Sequence, residues 1–136
     1  MRILIICTGN TCRSQMAEGI LKSLDANLEV FSAGTKAEEK VNSYAVKAMS
    51  EIGIDISKQK PKSVEGFLTS AFDYVITVCD GANETCPIFS GKVKTRLHVG
   101  FEDPASAKGT DDEIMQVYRK IRDEIKTKFK EFYNGL

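Results

Sequence analysis

The chain has 136 residues, enough for one domain with a core of its own. Its 19 basic and 19 acidic side chains cancel to a formal net charge of zero, which gives no footing to a nucleic-acid or membrane surface. The apolar share is an ordinary 42%, and no apolar run approaches the ~20 residues that span a bilayer.

The chain opens with Ile3-Leu4-Ile5-Ile6, an unbroken apolar run expected of a parallel strand covered on both faces. The run is short and lacks a cleavage pattern, so a cytoplasmic protein is expected. In that compartment four cysteines point to metal ligands, redox groups, nucleophiles or core residues rather than a structural disulfide framework. A helix is expected from Cys12 or Arg13 to Leu24, with Met16, Ile20, Leu21 and Leu24 at core spacing. Leu28 to Ala33 reads as the second strand, ending at Gly34. Asn42-Ser43 caps a helix expected to run through Ile52, with Val46, Met49 and Ile52 facing inward and Gly53 as its stop. Pro61 keeps the polar stretch from Ile54 to Ser63 irregular, and Ser63 to Leu68 suits a short helix. Phe72 to Cys79 is the third strand and Lys94 to Val99 a polar edge strand. Thr110-Asp111-Asp112-Glu113 caps a last helix reaching Tyr133, with Ile114, Val117, Tyr118, Ile121, Ile125 and Phe129 on one face.

Strands alternating with helices predict one α/β domain over residues 1–136, a three-layer sandwich with a four-stranded parallel sheet flanked by helices. Sites in such folds lie at the carboxyl ends of strands. The loops after Ile6, Val78 and Val99 therefore share one sheet edge, and they hold Cys7, Cys79 and Asp103.

Between the first strand and the first helix lies Cys7-Thr8-Gly9-Asn10-Thr11-Cys12-Arg13-Ser14. A strand, tight loop and helix start of this kind aims backbone N–H groups at one point beside the positive end of a helix dipole. Gly9 lets the backbone curl, and Asn10 tolerates left-handed dihedrals. Arg13 adds a fork of donors matched to a tetrahedral oxyanion. Cys7 at the bottom of that nest is a candidate nucleophile, and Ser14 is placed to hydrogen-bond its sulfur. Cys12 reads as a packing residue of the loop. The loop lacks G-K-[ST], so it is not a Walker loop.

Cys79 and Cys86 admit three readings: unrelated thiols, a zinc pair, or a redox relay in which Cys79 attacks a modified Cys7 and Cys86 then attacks Cys79. Zinc is disfavoured by the six-residue gap and the single histidine, His98. Asp103, stiffened by Pro104, is a candidate acid for an oxygen leaving the oxyanion, with Glu102 as its competitor.

These motifs resemble the low-molecular-weight protein tyrosine phosphatase family, and within it the thioredoxin-coupled arsenate reductases. The likeness runs from Ile3 to the last helix. It rests on Cys7 to Glu18, Phe31-Ser32-Ala33-Gly34, Val78-Cys79-Asp80 with Cys86-Pro87, and Asp103-Pro104-Ala105. The resemblance implies that Cys7 attacks arsenate held by Arg13 and the loop residues Thr8, Gly9, Asn10, Thr11, Cys12 and Ser14, with Asp103 as acid. It implies a Cys7, Cys79, Cys86 relay ending in a Cys79–Cys86 disulfide that thioredoxin reduces. Phosphate and sulfate are the expected competing oxyanions, a monomer the expected state, and no organic cofactor is required. Some relatives hold a potassium ion through a loop asparagine and a helix glutamate, which Asn10 and Glu18 match. The alternative is a tyrosine phosphatase, against which Ala105-Ser106 stand where those enzymes carry aromatic residues. Val99 follows His98 where many relatives have tryptophan.

Overall fold

The computed structural model describes residues 1–80 and 88–136. Cys86, among residues 81–87 of the loop after Cys79, lies outside the described residues. Four strands, β1 (Arg2–Cys7), β2 (Glu29–Gly34), β3 (Ala71–Thr77) and β4 (Lys92–His98), form one sheet in the order β2-β1-β3-β4, and all three pairings are parallel. The expected α/β fold is the one observed. Ile3, Leu4, Ile5 and Ile6 of β1 are fully buried, as a central parallel strand requires.

The two faces of the sheet are covered unequally. Ile3, Ile5 and Ile76 join one core with residues of α1 (Arg13–Leu24), α2 (Ser43–Ser50) and α3 (Asp111–Asn134). Leu4, Ile6 and Ala33 pack with Phe72, Val75 and Phe89, against Phe31 and the 3-10 turn Val64–Phe67. Among the described residues, the three α-helices thus share one core and a short turn serves the other face.

Some boundaries differ from the sequence reading. The α2 helix ends at Ser50, because its hydrogen bonds then tighten to three-residue spacing: Ile52 N–H reaches Met49 O and Gly53 N–H reaches Ser50 O. Gly53, at φ 79°, closes this turn with Ile54 N–H on Met49 O at 3.0 Å. The face it buries is Ala45, Ala48 and Met49, with Val46 and Ile52 only partly covered. In α3, Met115 and Arg122 are buried, while Ile114 and Val117 sit at the margin. Strand β3 stops at Thr77, so Cys79 lies two residues beyond it. Ile56 is fully buried within a stretch that reads as polar and irregular.

One charge network ties α2 to α3. Glu51 accepts from Arg119 at 2.8 and 2.9 Å and from Arg122 at 2.8 Å, and Arg122 also reaches Ala48 O at 2.9 Å. The Arg119 hydrogen bond, reinforced by Arg122, holds the Glu51 carboxyl down at about 2. A depressed carboxyl favours the fold above its ordinary range and loses that effect as pH falls toward 2. Glu51→Gln is therefore expected to lower the unfolding midpoint by about 1–4 °C at pH 7, with the difference closing between pH 4.5 and pH 2. Thermal unfolding followed by circular dichroism across that range checks this.

Candidate active site

The loop between β1 and α1 is built by its carbonyl groups. Cys7 O accepts from Thr35 N–H at 3.3 Å, Thr8 O from Lys36 N–H at 3.0 Å and Gly9 O from Glu38 N–H at 3.1 Å. Asn10 O accepts from Gln15 Nε2 at 3.0 Å, Thr11 O from Asn42 N–H at 3.0 Å and Cys12 O from Met16 N–H at 2.9 Å. Six consecutive carbonyls are thus turned outward and held. In a planar trans peptide the next residue's N–H points the opposite way. The N–H groups of residues 8–13 are therefore turned to the inside of the curl, at the start of α1.

Two residues make the curl possible. Asn10 takes the left-handed conformation at φ 56° and is fully buried. Its Oδ1 accepts from Gln15 Nε2 at 3.0 Å and from Lys62 N–H at 2.9 Å, which leaves its Nδ2 to donate to Ser14 Oγ at 2.7 Å. At the end of β2, a Cβ on Gly34 would meet Thr8 O at 2.4 Å and Asn10 N at 3.1 Å, so only glycine admits the loop there.

Ser14 Oγ lies 3.0 Å from Cys7 Sγ. Because that oxygen already accepts from Asn10, its hydrogen is free to point at the sulfur. The Asn10 amide thereby orients a donor on Cys7 through Ser14. Cys7 carries a free thiol and is 2% exposed, at the floor of a cavity of about 400 Å³. Thr8, Gly9, Thr11, Cys12 and Arg13 line the cavity on the loop side, and Lys36, Glu38, Asp103 and Ala105 across from it. Thr8 Oγ1 is buried with no hydrogen-bond partner among the described residues.

Buried Arg13 donates to Phe101 O at 3.1 Å, and its other nitrogen lies 3.7 Å from Asp103 Oδ2. Asp103 caps the 3-10 turn Pro104–Ser106 by accepting from Ala105 N–H at 3.0 Å. That cap fixes the carboxylate over the guanidinium, while Glu102 lines a different cavity beside α3. Cys12 is free and buried, and lies 3.8 Å from Tyr118 Oη. Burial pushes its thiol up to about 11, so it is a neutral thiol in the physiological range.

Cys7, Arg13, Asp103 and the loop residues Thr8, Gly9, Thr11 and Cys12 thus meet in one cavity, with Asn10 and Ser14 behind its wall. Cys79 is not among its lining residues; it is buried and disulfide-bonded. The backbone brings it close nonetheless. Ile6 pairs with Thr77 in the sheet and Ile6 O accepts from Val78 N–H at 3.0 Å, so Cys79 follows one residue after the position abreast of Cys7. His98 is exposed and bonds Thr77 Oγ1 at 2.8 Å.

Sequence reasoning missed Lys36, Glu38 and Lys62. For Lys36 and Glu38 the signal was available, because β2 is parallel to β1 and its following loop must share the same sheet edge.

The oxygens around Asn10 and Glu18 do not fit a potassium ion. Glu18 is buried, and its Oε1 accepts from Ser32 Oγ at 2.5 Å and its Oε2 from Lys22 Nζ at 2.6 Å. Lys62 Nζ stands 3.9 Å from Oε1, and Asn10 Oδ1 already takes two N–H donors. An alkali cation needs free oxygen lone pairs, and these face donors.

Two outcomes are expected. Ser14→Ala slows carboxymethylation of Cys7 by iodoacetate about ten-fold at neutral pH, the effect of losing one hydrogen bond of ~1.5 kcal/mol to an anion. Peptide mapping of the labelled wild-type chain finds Cys12 unmodified at pH 8 and labelled only as pH nears 11.

The family model described as "Low molecular weight phosphotyrosine protein phosphatase" matches residues 2–136. The chain is 49% identical over 131 residues to an arsenate reductase of Halalkalibacterium halodurans, covering 96% of this chain and 93% of that protein. A solved arsenate reductase in the phosphate binding state is similar at TM-score 0.76 and 30% identity, over 96% of this chain and 95% of that one. A low molecular weight protein tyrosine phosphatase from T. tengcongensis is similar at TM-score 0.77 and 31% identity, over 100% of this chain and 99% of that one.

Proposed function

The chain belongs to the low molecular weight phosphotyrosine protein phosphatase family, and within it we propose that it reduces arsenate to arsenite through Cys7, Cys79 and Cys86. The observation that carries this reading is an oxyanion cradle around a free Cys7, with a disulfide-bonded Cys79 at the end of the neighbouring strand. In this reading Cys86 is the thiol that resolves Cys79. A hydrolytic phosphatase has no use for that pair. The names of the curated relatives point the same way.

Arsenate enters the cavity with its oxygens toward the N–H groups of residues 8–13, the Thr8 hydroxyl and the Arg13 fork. The Cys7 thiolate attacks arsenic, and Asp103 gives a proton to the departing oxygen, which leaves as water. Cys79 then attacks the Cys7 sulfur. The Cys7–arsenic bond breaks, its electron pair goes to arsenic, and arsenite departs. Cys86 next attacks Cys79, which frees Cys7 and leaves a Cys79–Cys86 disulfide. Thioredoxin supplies the two electrons that reopen it. Phosphate and sulfate, of the same shape, occupy the cradle as competitors. The cycle belongs in the cytoplasm, where thiol reductants are maintained, with the chain acting as a monomer.

The test is NADPH oxidation by thioredoxin reductase, thioredoxin and the purified chain on addition of arsenate, with phosphate as control anion. Arsenate-dependent consumption is expected, with at least a hundred-fold loss in Cys7→Ser, Cys79→Ser and Cys86→Ser. Aryl phosphate hydrolysis that survives Cys79→Ser and Cys86→Ser, without arsenate-dependent consumption, would make the chain a phosphatase instead.

A further inference from the structure

We infer that the Lys62 ammonium is a built-in cation between buried Glu18 and the oxyanion loop, where the resemblance implies a potassium ion in some relatives. The inference stands on loop geometry and holds whatever oxyanion the cradle turns over.

The argument starts from Glu18. Its side chain is 5% exposed, and an isolated carboxylate does not survive such burial as an anion. Some positive group must face it. Lys22, one turn further along α1, reaches Oε2 from the solvent side, its own side chain half exposed. The other oxygen, Oε1, accepts from the Ser32 hydroxyl and lies 3.9 Å from Lys62 Nζ, on a side chain 36% exposed. The Lys62 ammonium is also fixed by a hydrogen bond to Lys60 O at 2.7 Å. Its position is thus set by a carboxylate and a backbone carbonyl, two oxygen ligands of the kind that hold a hard monovalent cation.

What separates Lys62 from an ordinary ion-pair partner is its backbone. Lys62 N–H donates to Asn10 Oδ1 at 2.9 Å, and Lys62 O accepts from Gly34 N–H at 2.8 Å. A single residue therefore joins buried Glu18, the end of β2 and the asparagine that orients Ser14 on Cys7. A cation tethered to the backbone stands in place of a dissociable ion. Lys62 is a positioning residue, since it touches neither the cavity floor nor the reacting sulfur.

The experiment compares wild type, Lys62→Met and Lys62→Arg in potassium chloride, sodium chloride and choline chloride at equal ionic strength. Thermal unfolding is the first readout and the iodoacetate labelling rate of Cys7 the second, so neither depends on the reductase cycle. The wild type is expected to unfold at the same temperature in all three salts and to label at one rate. Lys62→Met is expected to lose about 3–6 °C in choline chloride and to regain part of it, together with the labelling rate, in potassium chloride. Lys62→Arg, which keeps the charge, stays near wild type in every salt. A potassium-specific rise in the wild-type midpoint overturns the inference, as does a Lys62→Met loss that potassium leaves unchanged. If Lys62→Met does not fold, the wild-type salt comparison and Lys62→Arg decide: potassium dependence in either one sinks the proposal.

Discussion

The site depends on six carbonyl groups that point away from it. Residues 7–12 each hand their carbonyl oxygen to a donor on the outside of the loop, drawn from the segment after β2, from Gln15, from Asn42 and from the first turn of α1. Peptide planarity does the rest and turns the following N–H groups inward. The donors are therefore oriented before any anion arrives, and no reorganisation is required on binding. The cost is one residue in the left-handed region. Asn10 carries it because its side chain satisfies two donors and still orients Ser14.

Charge is distributed so that one sulfur is singled out. Cys7 sits under inward N–H groups and a serine hydroxyl, while Cys12, five residues on, is buried against Tyr118 and stays protonated. Arg13 is held by a backbone carbonyl on one side and lies near Asp103 on the other, so the loop that carries Asp103 and the loop that carries Cys7 share one guanidinium. Behind the wall, buried Glu18 is balanced by two ammonium groups, one of them on the residue that also grips Asn10.

Much of this is legible in the sequence. The β1 apolar run, the turn-forming Asn10 and the start of α1 mark the cradle in the sequence, and parallel topology carries Cys79 and Asp103 to the same edge. The Asn42 cap and the Thr110–Glu113 capping box are local chemistry and both are observed. What could not be read depends on contacts distant in sequence. Lys62 sits in a stretch that looks like solvated loop, and only tertiary structure puts its ammonium beside a glutamate 44 residues earlier. The α2 boundary failed for a smaller reason, since Glu51 and Ile52 continue the helical pattern while the backbone tightens toward Gly53.

The central claim is that the sulfur under the cradle and the sulfur beyond β3 exchange directly. A single turnover of the reduced Cys86→Ser variant with arsenate, quenched in acid and mapped by peptide mass spectrometry, tests it most directly. The account predicts a Cys7–Cys79 disulfide formed in proportion to the arsenite released. Arsenite release with a Cys7–Cys12 link, or with no disulfide at Cys79, would contradict it.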